Sequence, residues 1–180
     1  MNTKTQQYEI FKNSVAMTVT LISFGMLFLT LFLGYLLVRF NSPTWPPVEI
    51  QGMPQLLPFM STLVIAISSL TCVLMEKKQS RLFWAATVLL GIVFLFLQWI
   101  LWAELNATGI LAANGMVPSM VYAFTWVHAG HIVIGLMALM WLGYFLFKGT
   151  ATQIKLSNVG KFWHFLGVVW LVMYLTLFVI

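Results

Sequence analysis

One stretch of the chain, SVAMTVTLISFGMLFLTLFLGYLLV from Ser14 to Val38, carries no Lys, Arg, Asp, Glu or His. As a helix, about 20 such residues cover the hydrocarbon core of a bilayer. A helix apolar on every side is either enclosed by a large protein or immersed in lipid. At 180 residues, 61% hydrophobic and 7% charged, the chain has too little polar surface to enclose it. The pattern recurs, and five stretches free of Lys, Arg, Asp and Glu can be read, at 14–38, 58–75, 82–103, 119–147 and 162–180. Pro58 and Pro118 stand where two of them begin, and a first helical turn tolerates a missing N–H. The breaks are RFNSPTWPPVEIQGMP, EKKQSR, NATGILAANGMVP and KGTATQIKLSNVGK. The expected fold is a single all-α membrane domain, a bundle of five transmembrane helices.

The net charge of +5 is a topology signal rather than a nucleic-acid footprint. Of the nine Lys and Arg, all but Arg39 fall in the N-terminal tail (Lys4, Lys12), the second loop (Lys77, Lys78, Arg81) or the fourth (Lys148, Lys155, Lys161). Basic loops stay cytoplasmic, so the N-terminus is expected inside and the C-terminus outside. The polar first 13 residues run straight into a span too long for a signal h-region, so no cleavable signal is expected. There is no Asp, and the single Cys72 gives neither a disulfide framework nor a cysteine metal cluster.

Small and weakly polar residues recur at near-heptad spacing: Thr20, Ser23, Thr30 and Gly34 in the first span, Thr62, Ser69 and Cys72 in the second, Thr125, His128, Gly135 and Ala138 in the fourth, with His131 beside them. Such stripes let helices approach closely in lipid and bond across the interface. No internal repeat supports a transporter of inverted halves, and no span is broken in mid-membrane, so a small solute carrier is disfavoured.

Ionisable groups inside spans are functional candidates by default. Glu104 ends the third span near the outer surface, His128 and His131 occupy the outer half of the fourth, and His164 opens the fifth. His128 and His131 share a helix face at i and i+3, but two ligands do not complete a metal site. His164 lies at the wrong depth to oppose either across a haem. The expectation is therefore no catalytic, cofactor or metal residue, with each imidazole bonded to a carbonyl, a hydroxyl or the Glu104 carboxylate at a helix contact.

Five segments in order, FNSPTWPP, PFMST, LQWILWAEL, TWVHAGHIVIG and GKFWHFLGVVWLVMYL, resemble subunit III of the haem-copper terminal oxidases, the cytochrome c oxidase subunit III family. The resemblance runs from about Val15 to the C-terminus and is to the short five-helix bacterial form. It implies a non-catalytic accessory bundle in the bacterial cytoplasmic (inner) membrane. Its partners would be the catalytic subunit I as main contact, subunit II and the other subunits, with haems and copper in those partners and none in this chain. It implies that His128, His131, Gly135, Trp163 and His164 belong to the packing framework. It further implies bound phospholipid and support of the neighbouring subunit's proton uptake and turnover. Two family acids are replaced, by Phe24 after Ser23 in the first span and by Gly167 in the last, which shifts the expected role toward scaffolding and lipid organisation. Quinol oxidase subunit III, the related nitric oxide reductase accessory protein and, from another class, a haem-binding membrane anchor are the alternatives. Arg81, Lys155 and Lys161 beside Trp84, Trp163 and His164 suggest a phospholipid headgroup site on the cytoplasmic side. The plainer alternative for Trp45, Trp84, Trp99, Trp102, Trp126, Trp163 and Trp170, several of them near span ends, is an interfacial belt.

Overall fold

The computed structural model describes residues 3–47, 50 and 52–179, so Val48, Glu49 and Gln51 of the first break and the final residue of the fifth stretch, Ile180, lie outside the described residues. The described residues are helical, with no strand. Five long helices run through them: α1 (Thr3–Asn41), α2 (Leu56–Lys78), α3 (Arg81–Ala107), α4 (Met116–Phe147) and α5 (Gln153–Tyr174). All five are long and apolar enough to cross a membrane, which makes the chain a multi-pass membrane protein. A 3₁₀ turn, Ala112–Asn114, precedes α4, and α5 runs on into a π turn, Leu175–Val179.

The ends of the helices follow from local chemistry. Gln79, in the left-handed region at φ 47°, terminates α2, and Arg81 already begins α3. Gly109 (φ 78°) and Gly149 (φ 68°) close α3 and α4 in the same way. Ile110 N–H donates to Leu105 O at 2.9 Å and Gly109 N–H to Asn106 O at 3.1 Å; Thr150 N–H donates to Phe145 O at 3.0 Å and Gly149 N–H to Leu146 O at 3.3 Å. Both are the paired bonds of a Schellman end, which a residue without Cβ favours.

Helices α2, α3, α4 and α5 form a closed ring, each packed on two neighbours, and α1 lies outside it along α4 and α5. Only 11% of the residues in the most apolar window of α1 are buried, against 44% in α5. Its inward anchors are Phe28 and Tyr35; Tyr35 O–H donates to Thr176 O at 3.0 Å. Of the stripe read on α1, Gly34 faces α4, where a Cβ would stand 3.8 Å from Met120 Cε, but the three hydroxyls bond no neighbouring helix. Thr20, Ser23 and Thr30 are exposed and donate to Ala16 O, Val19 O and Leu27 O of their own helix. A hydroxyl in lipid is satisfied by the carbonyl a turn before it as readily as by another helix, and spacing alone cannot tell the two apart.

The antiparallel course brings two basic loops together at one end of the bundle. Arg81 at the start of α3 donates to Phe147 O at the end of α4 (3.3 Å), and Gln79 donates to Gln153 (3.3 Å).

Candidate functional site

The helix seams hold a set of indole N–H bonds, three to hydroxyls and one to a backbone carbonyl. Trp163 Nε1 donates to Ser68 Oγ (3.1 Å), Trp170 Nε1 to Thr62 Oγ1 (3.0 Å), Trp102 Nε1 to Thr125 Oγ1 (3.0 Å) and Trp84 Nε1 to Leu139 O (2.7 Å). Ser68 Oγ in turn donates a hydrogen bond to Thr87 O (3.2 Å), and Thr71 and Thr87 share a hydroxyl pair at 2.9 Å. Where no water competes, each such N–H needs a partner, and the bonds tie α2 to α5, α3 to α4 and α2 to α3. Trp163 and Trp170 are therefore interior residues, 1% and 0% exposed. They do not belong to an interfacial belt, and Trp163 is not available to a lipid headgroup. Its ring lies between bare stretches of two helices: a Cβ at Gly91 would stand 2.7 Å from Trp163 Cη2, and one at Gly135 would stand 3.1 Å from Cε3.

The histidines occupy three different environments. His128 is fully buried, and neither ring nitrogen has a hydrogen-bond partner among the described residues. Phe28, Phe94 and Trp170 surround it, with centroids at 6.1, 5.8 and 5.5 Å. The expected bond to a carbonyl or hydroxyl is absent there, because aromatic rings fill the positions where an acceptor would have to stand. His131 Nδ1 pairs with Val127 O at 2.7 Å, a carbonyl of its own helix, and Phe24 of α1 meets its ring edge-on at 4.6 Å. Thus Phe24, the residue after Ser23, makes an aromatic contact with His131. Glu104 is exposed on α3 and its carboxylate bonds to neither histidine.

His164 is the polar link between α5 and α2. Ser69 Oγ lies 2.5 Å from its Nδ1, and Glu76 Oε1 is 3.9 Å from its Nε2. Cys72, buried, is on the same face of α2, and one donor atom each from Cys72, Glu76 and His164 lies within 4.8 Å of the others. This trio was missed in the sequence because Glu76 reads as the first residue of the EKKQSR break. Continuing the Ser69–Cys72 stripe by four residues reaches it. Beside the trio a groove of about 430 Å³ runs between α2 and α5, lined by Thr62, Ile65, Ala66, Ser69, His164 and Gly167 among others.

The remaining basic candidates do not converge on His164. Arg81 stacks on Phe147 at 5.2 Å, and Trp84 lies against Gly143 in the α3–α4 seam. Lys155 covers Phe145 at 3.4 Å, and Lys148 bonds Tyr144. Lys161 is exposed on α5, near enough to Glu76 to act on it electrostatically.

The sequence matches the model of the family described as cytochrome c oxidase subunit III over residues 7–180. It is 30% identical over 159 residues to cytochrome c oxidase subunit 3 of Bacillus sp. (strain PS3), covering 81% of this chain and 74% of that one. It is 26% identical over 178 residues to the Synechocystis protein of the same name, covering 89% and 72%. With the Danio rerio protein of that name it shares 31% over 167 residues, covering 82% of this chain but 63% of the relative's length. Five apolar helices, the ordered tryptophan and histidine segments of α3, α4 and α5, and a match over nearly the whole sequence agree: the chain belongs to the cytochrome c oxidase subunit III family.

Proposed function

We propose that the chain works as a non-catalytic subunit III of a haem-copper oxidase in the bacterial cytoplasmic membrane. It packs chiefly against the catalytic subunit I, with subunit II and other subunits in the same complex, and organises phospholipid around them. The complex reduces oxygen and translocates protons, while its haems and copper reside in the partner subunits.

The observation that carries this reading is the surroundings of His128. It is the fully buried imidazole of the bundle, and aromatic rings of α1, α3 and α5 stand against it within about one ring diameter. A macrocycle needs an open slot and an axial donor, and this pocket is filled by packing. The replacement of the family acids by Phe24, seated on His131, and by Gly167, beside Ile65 in the α2–α5 groove, favours scaffolding over proton handling. Lipid tails fit the apolar α2–α5 groove. His164 lines that groove, and Lys161 of α5 is the cation that acts on the neighbouring Glu76, so a headgroup there meets Lys161 rather than Arg81 and Lys155, which lie against rings of α4. With the basic loops inside, the N-terminus is cytoplasmic and the C-terminus external.

The test is to tag the chain, extract it in mild detergent and identify what accompanies it. Subunits I and II of an oxidase should co-purify, together with haem and copper in proportion to them. Retention of haem by the chain after those subunits are stripped away would instead support a haem-binding anchor.

A further inference from the structure

We propose that Cys72, Glu76 and His164 form a binding site for a zinc-class divalent cation, clamping α2 to α5 near the basic end of the bundle. Zinc takes thiolate, imidazole and carboxylate together at about 2.0–2.3 Å, so two ligands of one ion stand roughly 3.3–3.8 Å apart. In the structure His164 Nε2 and Glu76 Oε1 are 3.9 Å apart, too far for a hydrogen bond and close to a ligand–ligand spacing. The three donor atoms lie within 4.8 Å of one another, so small side-chain rotations bring all of them onto one ion. Cys72 and Glu76, at i and i+4, present their donors one turn apart on one face of α2.

The surroundings are arranged as for a ligand set. Ser69 Oγ engages His164 Nδ1 at 2.5 Å. That bond orients the ring with Nε2 toward the carboxylate, as a second partner commonly orients a metal-bound histidine. Gly160, one turn before His164, leaves the notch in α5 that the Glu76 carboxylate occupies; a Cβ there would overlap Glu76 Oε1. A dication with one thiolate and one carboxylate is a neutral unit, suited to the end of an apolar bundle, and binding releases the protons those groups held. Cys72 is fully buried, whereas the His164 and Glu76 side chains are 31% and 23% exposed, so an ion enters from their side and a fourth position stays open. Lys161, the neighbouring cation, is the competitor for Glu76.

The experiment loads the complex carrying this chain with Zn²⁺, desalts it, counts zinc per chain by mass spectrometry and records zinc-edge X-ray absorption. Wild type should hold one zinc more per chain than Cys72→Ser, with a sulfur scatterer at about 2.3 Å. Glu76→Gln and His164→Gln should weaken retention at least tenfold, and Ser69→Ala by about 10–100-fold. Equal zinc in wild type and Cys72→Ser, or no sulfur in the wild-type spectrum, overturns the site and leaves Glu76 and His164 as a polar contact between α2 and α5. The wild-type spectrum decides the matter even where a variant does not assemble.

Discussion

Adding a single methyl group at Gly91 should be among the costliest small changes in the bundle. The new Cβ would stand 2.7 Å from Trp163 Cη2 and 2.8 Å from Leu136 Cδ2. Carbons rest at about 3.5–4.0 Å, so neighbours must retreat by roughly 1 Å. The indole has little room to do so, since its other edge lies against Gly135 of α4, where a Cβ would stand only 3.1 Å from Cε3, and Ser68 holds its N–H at 3.1 Å. Overpacking costs about 1–3 kcal/mol, and loosening the Ser68 bond adds about 0.5–1.5 kcal/mol. The expected loss for Gly91→Ala is about 2–3 kcal/mol, a factor of roughly 30–150 in the unfolding equilibrium. Reversible SDS titration in mixed micelles, followed by helical circular dichroism, measures it. Trp163→Leu removes the ring that the methyl strikes, so Gly91→Ala should cost about 1–2 kcal/mol less in that background. An equal penalty in both backgrounds, or none in either, would refute the clamp.

His128→Leu should leave stability within about 1 kcal/mol of wild type or raise it, because it removes a buried imidazole whose unpaired nitrogens cost about 1–3 kcal/mol; a loss above 2 kcal/mol in the same titration would mean that a partner exists. Trp102→Phe should cost about 0.5–1.5 kcal/mol by deleting the bond to Thr125 while an aromatic ring remains on Trp126, and Thr125→Val should cost little more once it is in place. A reporter that is active only outside the cytoplasm, fused after Ile180, should be active; activity of a cytoplasm-only reporter there would invert the topology. A reduced-minus-oxidised spectrum of the chain freed of its partners should show no haem band, and a Soret difference would contradict the scaffold role.

The number and kind of helices were legible because hydropathy and length report immersion in lipid without reference to any partner. On α4 the small-residue stripe also marked the buried face, where Thr125, His128 and Gly135 all point inward. On α1 the same reasoning holds at Gly34, which faces Met120, but not at Thr20, Ser23 and Thr30, whose hydroxyls bond their own helix. It also misplaced Trp163, since an indole near the end of an apolar stretch looks alike whether its N–H meets a headgroup or a serine of the next helix, and Trp170, whose place in the middle of its stretch already argued against a belt. The trio at His164 was obscured by one boundary. Glu76 lies within α2, two residues before its end, whereas charge alone assigns it to a loop.

The outlying position of α1 has a consequence for how the chain is made. It is made before the other four helices, yet the surfaces of α4 and α5 that receive it exist only after residues 42–115 and then those two helices have been synthesised. Until then it must persist as a lone helix in lipid, and Thr18, Thr20, Ser23 and Thr30 suit it to that interval because each hydroxyl is already bonded to its own backbone. Of these five helices, the earliest made is then the last to find its place, on the outside of a ring formed by the other four.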